Sequence, residues 1–248
     1  MFINAWVGGT RVILGAINRT IRELCSEGVA IDDGKTGWQH LTEEELLYEA
    51  CVCIFGSQMI YEVAVAAADR IRARGLLAEA LQIGQAPGYK ERLVAVLSIP
   101  LEVEVNGIFR KVRPRFKNRL ASLLESTVQM IYKRNMSLRM ILCSAQSSRH
   151  ARELLVEAVW GFGPKQASLF LRRIGFCSSL AVLDTHVLHY LRLARGIDPK
   201  PGVLSRLSTY EKIEAEFKIV AEEFGYSIGS VDLAMWITMR VAKREAML

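Results

Sequence analysis

The sequence predicts an all-α protein of two helical lobes. Three observations lead there. Apolar residues recur at helical spacing in segment after segment. Helix start and stop signals (a capping box, a Pro behind a turn, glycines) fall at the segment ends. Only one stretch, "LEVEVNGIFRKV", alternates as a strand pair would.

The elements follow in order. Ala16 to Cys25 reads as part of a first helix ending near Gly28. Residues 30–41 are polar and irregular. Thr42 and Glu45 then form a T-x-x-E capping box ahead of "LLYEACVCIFG". A helix from about Ile60 to Ala73 is ended by Gly75, and its alanines admit a close neighbour. Asn106-Gly107 between β-branched segments predicts a small β-hairpin near 102–112. "RPRFKNRLASLLESTVQMIYKR" returns to helical spacing. Helices at about 147–160, 164–174, 185–194, 208–224 and 230–245 complete the chain. There are no internal repeats or long linkers. All 248 residues therefore read as one unit of two lobes: one roughly 42–200, the other built from both chain ends.

Composition excludes several classes. With 51% apolar and 23% charged residues the chain is globular, not disordered. The most apolar stretch, Leu46 to Ala68, is broken by Glu49, Ser57, Gln58 and Glu62, which argues against a membrane span. No basic segment followed by a clean apolar run opens the sequence, so no secretory signal is expected. The five cysteines lack paired metal spacing and read as reduced thiols of an intracellular protein. The net charge of +6 suits a polyanionic partner or simply a basic soluble protein.

The chemistry-bearing stretch is "GFGPKQASLFLRRIGFCSSLAVLDTH", Gly161 to His186. A helix ends at Gly161, and Gly163 is expected in a second unusual backbone conformation. Pro164 suits a first helical turn, where its missing N–H costs nothing. Two helices joined this way, about 147–174, turn N–H groups outward, as a phosphate site does; a plain helix connection is the alternative. Lys165 sits at a helix N-terminus, where the dipole disfavours positive charge. That location suits a neutral, nucleophilic amine, and also an ordinary phosphate contact. The following helix spans roughly 15 Å. Residues 175–183 can extend about 30 Å, so the chain can return Asp184 to the start of that helix. Asp184 also reads as an N-cap of "THVLHYL".

"GFGPKQAS", the 19-residue step from Lys165 to Asp184, and "LDTHVLHYL" resemble the helix-hairpin-helix–Gly-Pro-Asp superfamily of DNA glycosylases. The resemblance is clearest over Leu154 to Arg192 and weaker over Glu43 to Arg70; residues 1–40 have no counterpart. Many relatives carry four cysteines near the C-terminus for an iron–sulfur cluster. Here the last cysteine is Cys177, so that cluster cannot be built. This departure, the short chain and "VRPRFKNRLASLL" resemble the type 2 branch of 8-oxoguanine DNA glycosylases.

The resemblance implies base-excision repair of damaged double-stranded DNA by a glycosylase that is also an AP lyase. The target base is flipped out of the stack. Lys165 attacks C1′ of its sugar, Asp184 stabilises the developing positive charge, and the Schiff base permits β-elimination. No metal or organic cofactor is implied, and the protein is expected to be an intracellular monomer. Gly161, Phe162, Gly163, Pro164, Gln166 and His186 are the expected DNA contacts. Gln58 resembles a side chain that fills the gap left by the extruded base, or is a surface turn residue. Trp236 stacks on a base or belongs to the core. His186 and His189 read as structural or phosphate contacts rather than metal ligands. The basic run from Arg110 to Arg119 is a solvated face or a phosphate contact. Two alternatives stay open: an oxidised-pyrimidine glycosylase/lyase on the same scaffold, and a non-catalytic helix-hairpin-helix DNA-binding module.

Overall fold

Thr42 opens its helix as the T-x-x-E pattern predicts: its hydroxyl accepts from the Glu45 N–H at 3.2 Å, and the Thr42 N–H donates to Glu45 Oε2 at 2.6 Å. The computed structural model describes residues 2–28, 37–82, 87–105, 107–200 and 202–245. Twelve α-helices and one antiparallel hairpin are found among these residues. The chain divides into two compact units, Thr36–Phe176 and Met1–Lys35 with Cys177–Leu248.

The first unit holds α2 (Glu43–Gly56), α3 (Tyr61–Ala73), α4 (Leu76–Ala80), α5 (Tyr89–Ser98), the strands β1 (Leu101–Val105) and β2 (Ile108–Val112), α6 (Lys117–Ile131), α7 (Leu138–Ser144), α8 (Ser148–Ala158) and α9 (Pro164–Arg173). Helix α2 is its axis, because Leu46, Leu47 and the unbroken run Ala50–Phe55 are buried on every side. Cys51 and Cys53 lie in that run, and burial pushes the Cys53 thiol up to about 12. The acid at the start of α2 also ties distant chain to it. Glu43 Oε1 accepts from the Leu138 N–H at 2.6 Å and from the Tyr132 hydroxyl at 2.8 Å. The hairpin pairs Leu101 with Val112 through to Val105 with Ile108, leaving the predicted two-residue turn. Asn106 of that turn lies outside the described residues; Gly107 has φ 75°, as its type of turn requires.

The second unit holds α1 (Phe2–Ser26), α10 (Thr185–Arg195), α11 (Leu207–Phe224) and α12 (Ile228–Glu245). Ile21, Val187, Leu191, Tyr210, Phe217 and Met235 stand at the centre of its core. α1 begins well before the Ala16 that the sequence marks, and α8 ends at Ala158 because Val159 turns to extended backbone. No helix among the described residues is long and apolar enough to cross a membrane.

Candidate active site

Gly161 carries the turn between α8 and α9. Its φ of +91° is a conformation that side chains rarely adopt. A Cβ there would also stand 3.2 Å from Leu123 Cδ1 and 3.6 Å from Ile54 Cγ2, so the turn lies directly on α6 and α2. Phe162 faces inward: it is buried, its ring is 5.8 Å from that of Phe170, and its N–H donates to Val159 O at 3.0 Å. It shapes the turn from within.

Gly163 departs from expectation. Its φ of −109° and ψ of −176° are extended backbone open to any residue, and a Cβ there would meet nothing within 4 Å. The sequence reading overcounted the strain because a second glycine beside Gly161 looks like a second left-handed position. The open space is the informative property. The N–H groups of Gly163, Lys165 and Gln166 take no hydrogen bond among the described residues, while the Gly163 carbonyl accepts from Ala167 N–H at 3.0 Å. Free donors at the start of a helix are the kind of arrangement to which an anion can bind. Pro164 is the first residue of α9, as predicted.

Lys165 is half-buried on the first turn of α9. Its side chain makes no ion pair or hydrogen bond among the described residues. Its charge does reach Cys53, where it and Arg173 favour the thiolate while burial and Glu49 oppose it. The other end of α9 is clamped. Arg173 Nε lies 2.5 Å from Glu49 Oε2 of α2, and its guanidinium donates to the Tyr61 hydroxyl of α3 at 2.6 Å. The helix that bears the amine is thus fixed at the glycine turn and at its C-terminus.

Asp184 caps α10. Its Oδ1 accepts from the His186 N–H at 2.8 Å and the Val187 N–H at 2.9 Å. Both bonds use one oxygen, which leaves Oδ2 available. The segment before it is held by buried side chains that the sequence did not single out. Glu214 accepts from Ala181 N–H at 3.0 Å, Asp232 from Val182 N–H at 2.5 Å, and the Tyr210 hydroxyl from Leu183 N–H at 3.0 Å while donating to Ala181 O at 2.8 Å. Three consecutive N–H groups pinned this way fix where Asp184 emerges.

Trp236 is half-buried rather than part of the core: its ring meets His186 edge-on at 6.3 Å and lies under Arg240 at 4.9 Å. Burial holds the His186 imidazole below its usual pKa; Asp184 pulls it up, and Lys243 and Arg240 push it down. No group of three or more metal-ligating side chains that includes His186 and His189 occurs among the described residues. Gln58, half-buried between α2 and α3, donates to Ser57 Oγ at 3.3 Å. Two exposed aromatics were missed. Trp160 borders the glycine turn at 52% exposure, and Phe116 stands at 61% exposure with a left-handed φ of 57°. The signal for both was a large aromatic next to Gly or Arg in a turn.

A family model described as 8-oxoguanine DNA glycosylase matches residues 91–226, more than half of the chain and the whole helix–turn–helix with Lys165 and Asp184. The chain belongs to this 8-oxoguanine DNA glycosylase family. Among curated relatives of the family, the 8-oxoguanine DNA glycosylase/AP lyase of Korarchaeum cryptofilum is 38% identical over 40% of this chain. That of Methanocaldococcus jannaschii is 31% identical over 56% of it. These matches span 46% and 64% of the relatives' own lengths. Similarity of structure extends further. The crystal structure of the M. jannaschii 8-oxoguanine DNA glycosylase superposes with a TM-score of 0.64 at 25% identity, over 91% of this chain and 92% of that one. The Thermotoga maritima 8-oxoguanine DNA glycosylase gives 0.66 at 26% identity, over 92% and 95%. A further solved structure, of the M. jannaschii glycosylase/lyase, contains a 15mer DNA with 8-oxoguanine and gives 0.64 at 25% identity, over 89% and 95%.

Proposed function

We propose that this member of the family is a bifunctional enzyme that removes 8-oxoguanine from duplex DNA and then cleaves the strand. The observation that carries the reading is the Lys165 amine. It is half-buried and without a carboxylate partner, on a helix locked at both ends, directly behind a turn with three free N–H groups. A lysine placed only to contact phosphate has no need of such fixation.

In the proposed reaction the turn binds a phosphate and the flipped nucleotide offers C1′ to Lys165. The Nζ lone pair forms the C1′–N bond as the glycosidic bond breaks. The base leaves with the bonding pair and gains a proton, and Nζ loses one. Asp184 supplies negative charge to the sugar as it becomes cationic. Ring opening gives an iminium. Loss of a C2′ proton then expels the 3′ phosphate, and hydrolysis of the imine frees the lysine. Trp236 offers an aromatic face to the base. The protein is read as an intracellular monomer, which light scattering tests.

Borohydride reduces an iminium to a stable amine. Incubation with 8-oxoguanine duplex and borohydride is therefore expected to give a covalent protein–DNA adduct. Lys165→Gln is expected to abolish the adduct and strand cleavage, and Asp184→Asn to slow base release strongly. An undiminished adduct in Lys165→Gln would place the nucleophile elsewhere. A parent protein that forms none with purine or pyrimidine lesions would make the chain a binding module.

A further inference from the structure

The β1–β2 hairpin is not used by the reaction described above, yet it is firmly built. Leu101 and Val103 are buried, and the Arg70 guanidinium on α3 donates to Ile99 O and Pro100 O at 2.8 and 2.9 Å. Its outer strand is otherwise bare. Ile108, Phe109, Arg110 and Lys111 are all exposed, Phe109 at 77%. A fixed strand that shows a phenylalanine and cations to water is a surface prepared for a partner.

The charge identifies the partner. On one face of the ribbon Glu102 lies 3.4 Å from Lys111 and neutralises it, and exposed Glu104 stands opposite Phe109; Arg110 is on the other face, opposite Val103. Arg110, Arg113, Arg115 and Arg119 are exposed and make no ion pair among the described residues. Directly after the hairpin in the chain, Arg113, Phe116, Lys117 and Arg119 line a cleft of about 460 Å³. Arg119 and Leu123 lie at i and i+4 on one stripe of α6, and Phe116 immediately precedes that helix. Leu123 is the residue that a Cβ at Gly161 would meet, and Arg119 lies four residues from it, roughly 6 Å along the axis. A backbone held at Gly161–Gly163 is thus within one or two phosphates of Arg119.

We propose that the β1–β2 hairpin and the cleft that follows it form a second duplex-binding arm, in which Arg110 and Arg113 contact phosphates, extending the footprint beyond the glycine turn. The inference rests on the reading of this chain as a DNA enzyme, but not on its chemistry. A five-residue strand is about 17 Å long, so the arm covers roughly 5 base pairs at 3.4 Å each.

The test uses the full chain and undamaged duplexes, so it does not depend on excision. Anisotropy titrations compare a core duplex with versions lengthened by about 5 base pairs on one side or the other, over a range of salt. The parent protein is expected to gain affinity from one extension only. Arg110→Ala/Arg113→Ala is expected to lose that gain, and its slope of log K against log salt should fall by about 2. Phe109→Ser, on the opposite face beside Glu102 and Glu104, should keep both the gain and the slope. All of these side chains are exposed, so folding is preserved; circular dichroism checks it. A photo-crosslinking residue at position 118, in the cleft, is expected to label the extended duplex. Equal slopes and equal gains in parent and double variant would overturn the proposal. So would a concentration-dependent dimer that Phe109→Ser dissolves, which would make the hairpin a contact with a second copy. Failure of the borohydride trap, with these slopes intact, would remove the catalytic reading and leave the arm standing.

Discussion

Two glycines two residues apart make a controlled comparison. At Gly161 the φ of +91° is disfavoured for any side chain, and a Cβ would press Leu123 Cδ1 at 3.2 Å. Left-handed backbone costs a non-glycine residue about 1–2 kcal/mol. For a chain of this size each kcal/mol moves Tm by roughly 2–4 °C. Gly161→Ala is therefore expected to melt about 2–8 °C lower. Gly163→Val meets neither obstacle. Its backbone is extended, its Cβ would point into open space, and loss of glycine freedom in the unfolded chain offsets any small penalty. Its melting temperature should match the parent's. The added bulk instead occupies the approach to the N–H groups of Gly163, Lys165 and Gln166. Losing one charge-assisted hydrogen bond to phosphate costs about 1.5–3 kcal/mol, or roughly 10- to 150-fold in Kd. The weakening should be equal for damaged and undamaged duplexes, because the turn reads no base. The assay is anisotropy beside thermal melting. A folded Gly163→Val protein with parental affinity and parental salt dependence would refute the phosphate role of the turn.

Two other outcomes follow from the second unit. Tyr210→Phe leaves the Leu183 N–H and Ala181 O without their buried partner, at about 1–3 kcal/mol each. Above the lowered melting point set aside, single-turnover base release should slow more than DNA binding weakens, as expected if the segment positions Asp184; equal losses would reduce Tyr210 to a core residue. His186 titrates with a folded pKa below its unfolded value of roughly 6.5. The unfolded state then binds more protons between the two values, so stability rises with pH through that window and falls as acid takes pH below about 6.5. Chemical denaturation of His186→Gln across that range should show a flatter profile than the parent; an unchanged profile would assign the acid loss to other groups.

The elements that depend on neighbours in sequence were legible in it. Thr42 and Glu45 cap each other three residues apart, Asn106-Gly107 sets a two-residue hairpin register, and Gly-Phe-Gly-Pro-Lys sets a turn against a helix start. Each is decided by local sterics and hydrogen bonds that a few side chains control. The same locality let Lys165 and Asp184 be singled out by type and interval. What lay beyond reach was decided by residues far apart in the chain. Phe162 turned inward because Phe170 on α9 offers it a ring to pack on. Trp236 left the core for the edge of His186, 50 positions earlier in the chain. Tyr210, Glu214 and Asp232 hold residues 181–183 from 27 to 50 positions away. A sequence pattern states which groups must be buried and paired, but the partner is chosen only when packing brings distant helices together, since satisfying a buried N–H depends on position in space and not on position in the chain.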